Sequence, residues 1–298
     1  MIDVCASTTL PPLNINYNTF LKEHFILPPP SATLTQVLQV LHSKTEGASK
    51  ATELISHDVA MVSHILKVVN SAYYGLRQPI GNLQYAVVYL GLAEVSRICL
   101  ALLVVNMLKP GSRKELQPFW LHSYLCALIA KRLVKEFSNV SDSEDLYSAA
   151  LLHDIGQLIY QRFFPEHYRE MRRFCAEKGR FLVDAEEYFN LPSHLKFGSL
   201  LCDHWGLPKT IKRACEFHEL CHLKRIADKS QASSFDVVIA ISNLIAVLAT
   251  QELEQTLREE VIAEIQRVLG ASKEDFRLLL EDVYQLKLKA EKTTAQVE

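Results

Sequence analysis

The sequence has no surplus of basic residues, since 32 Lys and Arg stand against 34 Asp and Glu in a chain of 298 residues. Without that surplus nothing draws the chain onto a phosphate backbone or an anionic lipid surface, so neither nucleic acid nor membrane is an expected partner. The segment Met1–Leu13 lacks the basic start and apolar run of a secretory leader. The longest apolar stretches, 98–108 and 237–250, are too short or too interrupted to cross a bilayer, and a cytoplasmic location is expected. Cysteines lack the even count and regular spacing of a disulfide framework: Cys5, Cys99, Cys126, Cys175, Cys202, Cys215 and Cys221 read as reduced thiols, several of them plain core residues. Glycine is scarce, with 10 in the whole chain, and no segment reads convincingly as a strand.

What the chain does have is apolar residues three and four apart along almost every long segment, with 49% hydrophobic against 22% charged residues. That pattern predicts an all-α protein with an ample core, built as one large domain or two closely packed smaller ones. Leu34, Val37, Leu38 and Leu41 form one stripe behind the rigid entry Pro28-Pro29-Pro30; Val59, Val62, Ile65, Leu66 and Val69 form a second, stopped near Gly75. A turn at Pro79–Asn82 leads into a helix broken by Gly91, and the breaker-rich stretch 109–118 separates two helical halves. The second half is expected to open with a helix from Phe119 and to continue with helices from Glu144 to about His153, then near 165–178, 182–189, 193–205, 208–218 and 235–250. Two amphipathic segments finish the chain, split at Gly270, with Ser272 and Asp275 forming a capping box. Their apolar faces are expected to dock on the protein's own core.

The string Leu151-Leu152-His153-Asp154-Ile155-Gly156 sets an imidazole beside a carboxylate where an apolar helix is broken, and nitrogen with oxygen donors suits divalent iron, manganese or zinc. His122, in Phe119-Trp120-Leu121-His122-Ser123, supplies a further imidazole from the preceding helix. With these, the runs Leu27-Pro28-Pro29-Pro30, Asn70-Ser71-Ala72-Tyr73-Tyr74-Gly75, Ala86-Val87 with Leu90-Gly91, Gly198-Ser199-Leu200-Leu201 and Trp205-Gly206-Leu207-Pro208 before His218 stand in one order. From about Leu27 to His218 the chain thus resembles the HDOD family, the regulatory branch of the HD-domain phosphohydrolases.

The resemblance implies an extension (1–26), an N-terminal helical subdomain (27–110), an HD-like helical bundle (111–252) and C-terminal amphipathic helices (253–298). It also implies metal ligation by His122, His153, Asp154 and a later aspartate, with a divalent ion such as manganese, iron, zinc or magnesium. At the aspartate position this chain has Asn243, which supplies no negative charge, and Asp236 lies two helical turns earlier, about 10.5 Å along the axis. Gln157 stands where active relatives often carry lysine, and Asp58 is followed by Val59 where relatives carry proline. His194 and His218 fall where two-metal relatives place further ligands, although their residue type and helix-end positions favour surface or capped histidines. Cys215, His218, Cys221 and His222 have zinc-compatible spacing but no separated second pair. Lys131, Arg132 and Lys196 read as solvated.

The functional expectation is a bacterial, non-catalytic signal-transduction module acting through contacts with other signalling proteins, with a weak or vacant metal site and a small nucleotide or phosphate as its candidate ligand. The alternative is a metal-dependent phosphohydrolase using His122, His153 and Asp154, with Asp154 indispensable to catalysis.

Overall fold

Among the described residues helical periodicity becomes helix and there is no strand. The computed structural model describes residues 10–13, 15–17, 20, 48–57, 59–70, 76, 78–92, 94–95, 98–99, 113–134, 144–205, 207–227 and 234–295. The expected stripe at Leu34–Leu41, the triple proline and Ser71–Gly75 lie outside them.

In the first half α1 (Ala48–Ser56), α2 (Val59–Val69) and α3 (Leu83–Leu90) pack on one another around Ile55, Ile65 and Val87. The second helix ends at Val69, ahead of the Gly75 stop that the sequence suggested. Its end is held by Asn70, whose carboxamide nitrogen donates to the Leu66 and Ile80 carbonyls at 2.8 Å each while its oxygen accepts from the Ile80 N–H at 2.7 Å. Asn82 caps α3 by accepting from the Gln84 and Tyr85 N–H groups, and Gly91 closes it at φ 79°.

The second half is built around α4 (Arg113–Leu133), which packs against α5 (Glu144–Leu152), α12 (Ser234–Thr250) and α14 (Lys273–Ala295). This helix begins earlier than the expected Phe119 and carries Pro118 inside it, near enough to the start that the lost N–H removes a bond only from an early turn. Every residue of α12 from Asp236 to Leu248 is buried, as expected of a helix apolar on all sides. Between these lie α6 (Gly156–Phe163), α7 (Pro165–Lys178), α8 (Leu182–Tyr188), α9 (His194–Trp205), α10 (Lys209–Glu216) and α11 (Leu220–Ala227). Two of them, α6 and α11, are short helices that the periodicity did not reveal. Helix α13 (Gln255–Leu269) ends on Gly270 at φ 63°, and the Ser272–Asp275 capping box forms reciprocally, with both backbone-to-side-chain bonds at 3.1 Å. Val261, Ile265, Phe276, Leu279 and Val283 are buried, so the terminal helices cover the chain's own bundle.

Candidate metal centre

The sequence of α5, a tight turn and α6 explains how His153 and Asp154 are presented. Helix α5 stops at Leu152, residues 153–155 turn, and α6 restarts at once on Gly156. Gly156 serves as a contact rather than a breaker: a Cβ there would overlap the His194 carbonyl and the Gly198 N–H at the head of α9. Helices α6 and α9 therefore cross closely, and the Tyr160 hydroxyl donates to the Pro192 carbonyl just ahead of His194. That crossing brings His194 against the His153–Asp154 turn.

Five side chains converge. Asp154 Oδ2 lies 3.4 Å from both His122 Nε2 and His153 Nε2. Its Oδ1 lies 3.3 Å from both His194 Nε2 and His218 Nε2. One carboxylate is thus bracketed by two histidine pairs, an oxygen to each, and all five residues are buried. Glu219 adds a second carboxylate oxygen 3.5 Å from His218 Nε2 and 3.8 Å from His194 Nε2.

The imidazoles are oriented from behind. His153 Nδ1 donates to the Ala150 carbonyl at 2.7 Å and His218 Nδ1 to the Ala214 carbonyl at 2.8 Å. His194 Nδ1 donates to Glu186 Oε1 at 2.8 Å, and the same oxygen takes the His194 backbone N–H at 2.7 Å. With Nδ1 of His153, His194 and His218 committed to these acceptors, Nε2 is the nitrogen turned toward Asp154, free to ligate a metal once it has given up any proton. His122 Nδ1 has no partner among the described residues.

The electrostatics follow from burial and that one carboxylate. Burial pulls His122 and His218 down to about 4 despite Asp154. Burial acts the same way on His153 and His194, but Asp154 at the first, and Glu186 with Asp154 at the second, outweigh it and raise both well above the ordinary histidine value. Burial would raise Asp154, yet the surrounding imidazoles, His153 foremost, hold it well below the usual carboxylate range. Glu219 is pushed by burial up to about 7, though His194 opposes this.

A divalent ion fits this donor set. Asp154 Oδ1 is buried and has no well-formed hydrogen bond among the described residues, with two imidazole nitrogens 3.3 Å away. A buried carboxylate faced by four imidazole nitrogens is a ready seat for cations, and mixed nitrogen and oxygen donors suit iron, manganese or zinc. His122, His153 and Asp154 Oδ2 would hold one ion; His194, His218, Asp154 Oδ1 and Glu219 a second.

His194 and His218 are therefore buried members of the cluster, which corrects the surface reading favoured by their residue type. Asn243 spends its Nδ2 on the His218 carbonyl at 2.9 Å, bracing the segment that carries His218. Asp236 is engaged by Arg213 at 2.5 Å, away from the cluster. The zinc-spaced set does not assemble: Cys221 is exposed, and the Cys215 thiol faces Cys202 at 3.8 Å. Of the basic residues read as solvated, Arg132 pairs with Asp282 at 3.2 Å on the surface. Glu186 and Glu219 went unrecognised in the sequence; the only signal was a histidine-glutamate doublet at 218–219, too common to single out.

A cavity of about 330 Å³ opens beside the first histidine pair, with His122 and Asp154 in its wall. Helix α4 contributes Phe119 and Leu121, α6 contributes Gln157, and α7 contributes Arg169 and Arg172.

Known proteins share this architecture. An HDOD domain protein of unknown function from Geobacter sulfurreducens superposes with a TM-score of 0.71 at 22% identity, covering 95% of this chain and 97% of that one. A protein of Shewanella amazonensis SB2B, provisionally named a phosphohydrolase, superposes with a TM-score of 0.68 at 21% identity, covering 95% and 98%. At such identities the likeness speaks for the fold alone. In sequence, an uncharacterized protein of Treponema pallidum (strain Nichols) is 24% identical over 192 residues, which is 64% of this chain but only 37% of that relative's length. The HDOD domain profile matches residues 27–221, which contain His122, His153, Asp154, His194 and His218, and the chain belongs to the HDOD family.

Proposed function

We propose that this chain is a regulatory HDOD module that passes a signal to other proteins by contact, with divalent metal at the Asp154 centre as part of its folded state. The observation that carries this reading is Asn243, which stands at the position of the resemblance's last carboxylate ligand and directs its amide nitrogen to the His218 carbonyl. The His122–His153 side is left with three protein donors, of which only Asp154 Oδ2 is anionic. Gln157 supports the same reading: it accepts a 2.9 Å hydrogen bond from the Tyr168 hydroxyl where a lysine would bring positive charge.

A second reading, a metal-dependent phosphohydrolase, has its own support in the five converging donors and the cavity beside them. Divalent ions in such a site supply Lewis-acid stabilisation of an anionic ligand. The two readings part on turnover. Full-length protein purified without chelator should contain divalent metal yet leave bis(p-nitrophenyl) phosphate at its background rate in added manganese. Hydrolysis that Asp154→Ala abolishes would replace the regulatory reading with the second.

A further inference from the structure

Residues 10–13, 15–17 and 20 precede the stretch 27–221 that the family profile matches, yet they lie against the half of the molecule that carries the metal centre. Leu13, Ile15 and Tyr17 are half-buried there, and Phe20 is buried. From α7, His167 Nε2 donates to the Pro11 carbonyl at 2.9 Å. The Phe20 ring stacks on Phe164 with centroids 5.9 Å apart and meets Phe163 and Phe197 at 6.1 and 5.7 Å. Tyr17 also packs on Phe197, at 6.0 Å, and takes the Lys196 ammonium over its face. Phe197 itself is fully buried one turn after His194, and its ring meets Tyr160 of α6 edge-on at 5.2 Å. The crossing of α6 and α9 is therefore closed by backbone at Gly156 and by rings at Phe197, and Phe20 and Tyr17 cover those rings. Rings that lose a neighbour on one side lose those contacts outright, so the cover bears on how firmly α9 is held.

We infer that this N-terminal segment is a positioning strap for the His194–His218 side of the centre: seated on Phe197 it holds α9 against α6 and His194 over Asp154, and lifted it loosens that side alone. The strap can lift because little holds it. Among its described residues only Phe20 is buried, Pro11, Pro12 and Asn16 are exposed, and residues 10–13, 15 and 16 lie in neither helix nor strand. Segments with few buried apolar contacts open locally while the rest of the fold stays closed. The other side of the centre does not depend on α9: His122 comes from α4, and His153 Nδ1 is tied to the Ala150 carbonyl of α5. Release of the strap would be the point at which a signal reaches the metal, so the proposal deepens the regulatory reading and rests on it for the use made of the release.

Two measurements on the full chain test this, zinc titration against a chromophoric chelator and amide hydrogen exchange of the metal-free protein. Phe20→Ala should weaken the tighter zinc position by about 10-fold, the low end of what losing a supporting partner costs, and leave the looser one unchanged. Tyr17→Ala, which empties no fully buried position, should act in the same direction by less. Phe20→Leu should restore most of the loss, and Tyr85→Ala, at an exposed ring on α3, should bind as wild type. Without metal, the first turns of α9 should exchange faster in Phe20→Ala than in wild type, with α12 unchanged. An unaltered tight position in both strap variants, or equal weakening of both positions, would overturn the strap. If the wild type takes up no zinc at all, the metal reading fails and exchange alone decides: faster exchange confined to α9 would keep the strap, and exchange as in wild type would overturn it.

Discussion

On the Oδ1 side of Asp154, His194 and His218 both give their Nδ1 hydrogens to fixed acceptors, and Glu219 stands by with a second carboxylate. On the Oδ2 side, among the described residues, only His153 is braced in this way, and His122 reaches in from α4 beside the open cavity with Nδ1 unpartnered. The first side is enclosed and set in advance; the second keeps a face toward whatever enters. A centre so divided should hold one ion firmly and another loosely, since preset ligands lose less freedom on binding and anionic oxygens offset the ion's charge.

The largest effect should come from the residue both sides share. Asp154→Ala is expected to remove metal from both positions, read as metal per chain by elemental analysis; retention of half would show that the carboxylate does not bridge. Next comes the packing that joins the sides. Gly156→Ala must push α6 away from the His194 carbonyl, an overpacking expected to cost about 1–3 kcal/mol or more in denaturant melts and to loosen metal at His194.

Glu186→Gln sharpens the contrast directly. Losing the anionic partner of His194 Nδ1 is expected to weaken the tight position by about 10- to 100-fold while leaving the His122 side unchanged. Competitive titration with a chromophoric chelator separates the two; equal weakening of both would erase the asymmetry.

The pH dependence is a milder test. In the metal-free chain His153 and His194 keep their protons above the usual histidine value, and Glu219 keeps its own up to about 7. Each must give up a proton before it ligates, so metal affinity should rise with pH through about 7, and binding should release protons. Calorimetry in two buffers of different ionisation enthalpy measures that release, and a result independent of buffer would contradict the assignment. The smallest change is expected from Asn243→Asp. In the metal-free chain it leaves the buried His218 carbonyl facing a carboxyl oxygen, at a cost of about 1–3 kcal/mol, and in exchange should strengthen the loose position.

His153, Asp154 and His122 were legible because two short strings carry them in a recognisable order. His194 and His218 were not read as members with the same force, since a lone histidine near a helix end looks alike whether it faces solvent or a carboxylate from another helix. Glu186 was invisible for a related reason: its burial is set by the α7–α8 packing and by the turn before α9, none of which is local in sequence. The helices themselves followed their apolar spacing, with two kinds of exception. Pro118 and Gly156 were read as boundaries, yet one is absorbed near the start of α4 and the other is spent on a close crossing. Short helices such as α11 hold too few turns for a stripe to emerge.

The most direct measurement is elemental analysis of full-length protein purified without chelator, repeated for His194→Ala and His122→Ala. The account expects bound divalent metal in the wild type and a greater loss from His194→Ala than from His122→Ala. A wild-type protein that carries no metal and takes up none when iron, manganese or zinc is supplied would contradict it.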